Sequence, residues 1–407
     1  MRDLIVEKLE VPVVGHYDVI VAGGGIAGVA AALAARRSGM QVLIIEKSVM
    51  FGGLATLGLI AHYLPLCDGH GRKVIGGIAE ELLKLSVKYG YGRVPEAWSS
   101  GTDPGEGAER YAVKYSGHTF ALALDELIEA EGIDVVLDTV FCRPVMQGGR
   151  CEALVVENKS GRVAYRAEVV VDSTGDADVM ARAGAQIVEG INQLSIWYYA
   201  TSLGRMAAAT GSGRLEDGVE LAVHGKVMGS SGEASPNAGE TDVYRGIGAE
   251  QVTGMVMAGR RLLRCESLYM RSDRSACVLT LPGMPQFRKT RRIRGTEAMK
   301  EGSPFEAQPN SVGCVCDWRA AGPVFEVPYG SLIAPGIENV ITAGRSVAAE
   351  GDMWELMRVI PPAALTGQAA GCAAAIAVED KTPVDRVTIS VLQERLASDG
   401  VIVHWDR

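Results

Sequence analysis

No two of the eight cysteines, at 67, 142, 151, 265, 277, 314, 316 and 372, stand at Cys-x-x-Cys spacing. With only six histidines in 407 residues, no zinc-type His/Cys cluster forms either. The nearest pairing, Cys314-Val-Cys316, reads as two ordinary residues on one strand face. No metal is therefore expected, and reduced, cytoplasmic thiols are the default. A run of 18 strongly apolar residues is missing as well. The closest stretch, Ala363–Val378, is Ala/Gly-rich, carries Thr366 and Gln368, and predicts a buried helix rather than a membrane span. The first 18 residues contain acids and no long apolar core, so no signal peptide is expected. There is no excess of positive charge. At −9 the chain has no bulk attraction for nucleic acid or anionic membrane.

What is abundant is glycine, with 50 residues, and apolar side chains at 47%. The most telling glycines lie in residues 18–46, DVIVAGGGIAGVAAALAARRSGMQVLIIE. An apolar strand enters a turn with Gly23, Gly25 and Gly28 at G-x-G-x-x-G spacing. A helix of small residues follows, and a second strand ends on Glu46. Each part suits a dinucleotide. Gly23 allows a sharp turn, Gly25 lets backbone approach a pyrophosphate, and Gly28 lets helix and strand pack closely. The helix N-terminus favours an anion, and Glu46 can accept hydrogen bonds from ribose hydroxyls.

Periodicity predicts helices over 74–90 and Phe120–Glu131, strands over Val135–Asp138 and Glu168–Asp172, and a hairpin of Val145–Glu157 with Arg162–Ala167. Val11–Val14 reads as an added edge strand or arm, and residues 91–117 as a loop. From 186 the alternating pattern is lost, and a Gly/Ser/Asn-rich tract occupies 228–241. It resumes with a strand at Asn339–Thr342 and a helix at Pro361–Val378. The expected architecture is α/β: a doubly wound, Rossmann-like FAD-binding domain (1–185, completed by 326–380), an inserted α+β substrate or cap domain (186–325), and a C-terminal helix and tail (381–407).

FAD and NAD(P) both fit the first glycine turn. Three later turns favour FAD, the longer ligand: Gly52-Gly53 in FGGLAT, Asp172–Asp176, and Ala343-Gly344-Arg345. The motifs FGGLAT, VIGGIAEEL, VVVDSTGDADV, KTRRIRG, VPYGSLI, NVITAGR and RVIPPAALTGQAAG, taken with the first unit, resemble the FAD-dependent oxidoreductase family. That family is related in fold to the succinate dehydrogenase/fumarate reductase flavoproteins and to the glutathione-reductase-type FAD domain. The resemblance runs over residues 10–378. It implies that Gly23, Gly25 and Gly28 lie at the FAD pyrophosphate, Glu46 at the adenosine ribose and Lys47 beside it. Gly53, Ala55 and Thr56 would follow the ribityl and flavin side, and Val140 would meet adenine through its backbone. Thr174, Gly175 and Asp176 would close over the pyrophosphate. Gly344, Arg345 and the helix start at Pro361 would hold the ribityl chain and flavin edge. Relatives often carry a His and a Ser between the Gly-Arg turn and R-V-x-P; here the stretch reads SVAAEGDMWELMRVIPP.

The chemistry is less local. Residues 288–294 hold five cations, Arg288, Lys289, Arg291, Arg292 and Arg294, which suits an anionic substrate. Strand alternation puts Arg288 and Arg292 on one face. Arg358, His62, Glu350 and Asp352 complete the catalytic candidates, and a solvated strand edge is the plain alternative for the basic run. FAD is expected to be non-covalent, although Cys67 and His62 are available nucleophiles. The function expected is hydride transfer between a small polar substrate and the flavin. An NAD(P)-dependent dehydrogenase and a non-catalytic flavin-binding redox scaffold are the alternatives. Oxygen, a quinone or a carrier protein would each serve as electron acceptor, and a homo-oligomer is compatible with the sequence.

Overall fold

The computed structural model describes residues 5–225, 243–270, 274–302 and 304–406. The tract 228–241 lies outside the described residues. The central sheet begins with β1 (Val13–Ala22) and β2 (Val42–Ile45), and continues with β3 (Asp134–Val136), β4 (Val140–Gln147), β5 (Arg150–Asn158), β6 (Gly161–Asp172) and β7 (Val340–Thr342). Strands β3, β2, β1 and β6 are parallel neighbours in that order, and β7 pairs parallel with β6. Val19–Ala22 and all of β2 are buried, as strands covered on both faces require. Register brings Ala22, Ile45, Asp172 and Thr342 to one edge. That carboxyl edge is where open α/β sheets bind ligands.

On the side away from β1, strand β6 serves two pairings. Its first half pairs antiparallel with β5, and its second half parallel with β7. The sequence reading divided it at Ala167, but it is continuous. Conversely, Val145–Glu157 is two strands, separated at Gly148, whose φ of +61° turns the chain. Val11–Val14 is no separate arm: Val13 opens β1 and pairs with Ala164.

The first helix, Ile26–Arg37, and the long helix Ile360–Glu379 pack face to face, and small residues set their separation. A Cβ at Gly367 would lie 2.2 Å from the Ala27 carbonyl oxygen, and one at Gly371 would lie 2.2 Å from that of Ala31. Backbone thus meets backbone along an Ala/Gly seam, and both helices run in the same direction, the long one starting further back. The other predicted helices differ at their ends: the first is shortened to Ile78–Leu85, and the second extends back to Gly117–Glu131, capped by Ser116.

Within residues 186–325, Ser195–Ser202 pairs antiparallel with Glu220–Gly225 and Ala276–Thr280. Leu263, on the helix Ala249–Met270, packs with Ile196, Tyr198 and Ala200 in a small core of its own. The incoming and outgoing chains pair with each other, Ile187 opposite Ile293. The hairpin of Ser311–Cys316 with Val324–Pro328 falls mostly within the span expected for the insert, yet Val312, Cys314, Val324 and Val327 join the main core. A final helix covers Ile389–Ser398.

Candidate cofactor and substrate site

The turn after β1 is built as its spacing predicts. Gly23 has φ +105° and sits against the Ser173 carbonyl, and a Cβ at Gly28 would fall 1.8 Å from the Gly23 oxygen. At Gly25, by contrast, a Cβ would meet nothing within 4 Å: there is open space before the first helix. Among the described residues no side chain caps that helix, and no acid stands in its first turn. Its N–H groups and positive dipole end are available to an anion.

Glu46 closes the other side. Its buried carboxylate accepts from Gly24 N at 2.6 Å and from Ser48 N at 2.7 Å. Each oxygen keeps a second acceptor direction for a ribose hydroxyl. The Gly52-Gly53 loop lies against this turn, with Gly52 N donating to Gly24 O at 2.8 Å. Thr56 is fully buried, and its hydroxyl donates to Phe51 O, so it closes the loop instead of facing outward. The Ala55 carbonyl accepts from Tyr115 Oη at 3.0 Å. Lys47 is exposed. Val140 is exposed at the start of β4, and Thr139 N beside it donates to Glu46 O.

At the end of β6 the structure gives separate tasks to residues that the sequence marked only as one turn. Ser173 Oγ lies 2.9 Å from Ala22 O and 2.7 Å from Gly23 O, tying β6 to the glycine turn. Asp172 is fully buried; burial pushes its carboxyl up to about 6, against hydrogen bonds from Met180 N and Thr174. Thr174 spends its hydroxyl on Asp172 and Asp178 N. Gly175 lies under the Arg345 guanidinium, which pairs with Asp176 at 2.9 Å. Arg345 Nε is buried with no hydrogen-bond partner among the described residues. Gly344 (φ +78°) sits 2.9 Å, by its would-be Cβ, from Ala27 Cβ and 3.9 Å from Ala363 Cβ, between the two helix starts. The long helix begins at Ile360, with Pro361 and Pro362 in its first turn and no side-chain cap. An extended, anionic dinucleotide fits these features: open space at Gly25, an uncapped helix start, a buried ribose acceptor and an orphaned guanidinium donor.

The catalytic candidates do not converge. Only Arg291–Ile293 of the basic run is a strand, so alternation does not carry Arg288 and Arg292 to one site. Arg291 pairs with Asp178. Arg292 lies over the Trp354 ring at 5.3 Å and lines a cavity of about 520 Å³ together with Glu350. Burial lowers the Arg292 pKa, against the charge of Glu350. Asp352 pairs with Arg319 at 3.0 Å. Arg288 and Arg358 line a different, smaller cavity with Lys289 and Glu355. There the Glu355 carboxylate meets Lys289 Nζ and Arg358 Nη2, each at 2.5 Å. Burial would raise the Glu355 pKa, but Arg358 and Lys289 outweigh it and hold the carboxyl below its usual range. Burial, then the charge of Arg358, pushes Arg288 down to about 9, still a cation at neutral pH. His62 is in a short pairing with Lys114, and burial plus that charge push it down to about 4.

Among the described residues no helix is long and apolar enough to cross a membrane, and no group of three or more His, Cys, Asp or Glu is placed to hold a metal ion.

Comparison with known proteins agrees with the fold. Thioredoxin reductase of Ureaplasma parvum is 36% identical over 75 residues, 18% of this chain; the match spans about a quarter (24%) of that relative's length. The crystal structure of p-nitrophenol 4-monooxygenase PnpA from Pseudomonas putida superposes with a TM-score of 0.50 at 13% identity, covering 94% of this chain and 84% of that one. It shares the fold. The sequence profile of the FAD dependent oxidoreductase family matches residues 18–209 and 305–396. The chain therefore belongs to the FAD-dependent oxidoreductase family, with FAD as its cofactor.

Proposed function

We propose that this protein exchanges a hydride between FAD and a small polar, anionic substrate held where the inserted region meets the FAD-binding domain. FAD, when bound, supplies the two-electron carrier. The chain supplies the rest. Glu46, the glycine turn and the two helix starts bind and orient the cofactor. Asp176 fixes Arg345 with its Nε left to donate. Arg288, Lys289 and Arg358 orient the substrate's anionic group.

One observation carries the reading: the cation-rich cluster beside Glu355 ends on Arg358, and the next residue, Val359, is the N-cap of the long helix. An anion bound there lies at the helix start expected to face the flavin. Glu355 is a poor proton acceptor, because Lys289 and Arg358 occupy its oxygens and hold its pKa below the usual carboxylate range. His62, its pKa pushed down to about 4, is no better a base, and it lines neither the Arg288 cavity nor the Arg292 cavity.

A second reading rests on size. The 520 Å³ cavity has room for a whole substrate and combines Arg292 with Glu350 as anion binder and base. Anaerobic mixing of the FAD-loaded protein with a panel of small carboxylates and their amides tests both. Loss of visible flavin absorbance with carboxylates and not with amides is expected. Equal bleaching by amides, or none by any carboxylate, refutes the proposal. Loss of bleaching in Arg288→Ala but not Arg292→Ala selects the first reading, and the reverse selects the second.

A further inference from the structure

The chain leaving the insert returns to the cofactor loop at residues 282–286. Gly283 N donates to Leu57 O at 2.9 Å, and Gln286 Nε2 donates to Gly58 O at 2.5 Å. Leu57 and Gly58 directly follow Thr56 in the loop assigned to the flavin side. On its other face the same segment lines a cavity of about 90 Å³. A second, of about 20 Å³, shares Ser195 and Gln286 with it and ends on Arg288, Lys289, Glu355 and Arg358.

The two cavities differ in chemistry. Ile196, Met255, Pro282, Met284 and Pro285 give the larger one mainly apolar walls, with Arg260 and Gln286 as its charged and polar lining. The smaller one holds three cations against one carboxylate, and that carboxylate already serves Lys289 and Arg358. Arg288 Nε and Nη2 are buried, and neither has a hydrogen-bond partner among the described residues. Its guanidinium is 5.6 Å from the Trp197 ring, which accommodates a cation but accepts neither N–H in a conventional bond. A buried charge with unused donors is unfavourable until an anion completes it. Room of about 20 Å³ admits a group of one or two water-sized atoms, which suits a carboxylate better than a phosphate.

We infer that the two adjoining cavities, which share Ser195 and Gln286 as lining, together bind an amphipathic monocarboxylate, its carboxylate on Arg288 beside Arg358 and its apolar chain against Ile196 and Met255. This replaces the small polar substrate of the first reading above with an anion that carries an apolar chain, and rests on that reading only in taking the ligand as the substrate. Binding is measured without turnover, so the two fail separately.

The experiment is calorimetric titration of the FAD-loaded full chain with acetate, hexanoate and 1-hexanol, with Trp197 fluorescence as a second signal. Hexanoate is expected to saturate the protein and to bind at least about tenfold tighter than either acetate, which lacks the chain, or 1-hexanol, which lacks the charge. Arg288→Gln should weaken hexanoate by about tenfold or more and leave 1-hexanol unchanged. The wild-type ligand series needs no variant to fold. Equal affinities for acetate and hexanoate, 1-hexanol matching hexanoate, or hexanoate bound by Arg288→Gln as tightly as by the wild type overturns the inference. Hexanoate binding without flavin bleaching by any carboxylate leaves this site standing and counts against the redox reading. Bleaching by carboxylates that hexanoate does not compete with does the opposite.

Discussion

Replacing Gly367 by Ala tests how the two helix starts are held together. The new methyl carbon would lie 2.2 Å from the Ala27 carbonyl oxygen and 2.9 Å from Ala30 Cβ. Ordinary C···O contacts are about 3.3–3.6 Å, so the helices must separate by roughly 1 Å. Overpacking of this kind costs about 1–3 kcal/mol, and a clash with backbone belongs at the upper end. Alanine's better helix propensity returns about 1 kcal/mol. A net loss of about 2 kcal/mol is expected for the apo protein. Gly211→Ala, in the exposed helix Leu203–Ser212, is the control: its Cβ meets nothing within 4 Å. There the same change should stabilise by about 0.5–1 kcal/mol. Gly371→Ala repeats the clash against Ala31 O at 2.2 Å. One helix displacement relieves both, so the double variant should lose less than the sum of the singles. Because Ala27 and Gly344 touch across the two helix starts, FAD affinity should fall as well. Urea unfolding of the apo proteins and fluorescence titration with FAD measure these effects. If Gly367→Ala is as stable as the wild type, or the two losses add in full, the seam does not set the helix spacing.

Gly25→Ala should behave differently. Its φ of −67° suits alanine and its Cβ meets no neighbour, so apo stability should stay within about 0.5 kcal/mol. FAD affinity should nonetheless drop about tenfold or more, because the methyl enters the space left for the pyrophosphate; unchanged FAD binding would count against that location. For His62, the folded-state pKa of about 4 lies below the unfolded value, so the neutral form is favoured in the native state. Its contribution to stability is fully present above about pH 6.5 and is lost as pH falls through 6.5 towards 4. Acid unfolding should therefore shift to lower pH in His62→Gln, and no rate limb between pH 5.5 and 8 should be traceable to His62. A limb near 6.5 that vanishes in the variant would contradict its buried state.

The glycine turn and its flanking elements were legible because their signals are local. Strand, glycine spacing, helix and terminal acid all fall within residues 18–46, and each glycine's role is a backbone constraint that spacing alone expresses. Ser173 was legible only in part. It stood inside a recognised motif, but its bonds to Ala22 and Gly23 depend on strand register. The break at Gly148-Gly149 was hidden because a glycine pair inside an alternating run reads equally as a bulge. The cation cluster around Glu355 was poorly legible. Strand alternation across 288–294 grouped Arg288 with Arg292, yet only three residues there are strand, and the two side chains line separate cavities. Arg288's true neighbours, Glu355 and Arg358, lie about 70 residues further along the chain, where no spacing rule reaches. Likewise Lys289 was one cation in a run until the fold placed it on Glu355.

The central claim is that one FAD extends from Glu46 to the helix start at Val359, and flavin selectivity tests it most directly. FMN carries the flavin end but lacks the adenosine that Glu46 would hold. With the deflavinated protein, FAD should bind far more tightly than FMN, and Glu46→Ala should remove most of that advantage while leaving FMN affinity unchanged. Equal affinity of the wild type for FAD and FMN, or a Glu46→Ala protein that keeps the full preference for FAD, would contradict the account.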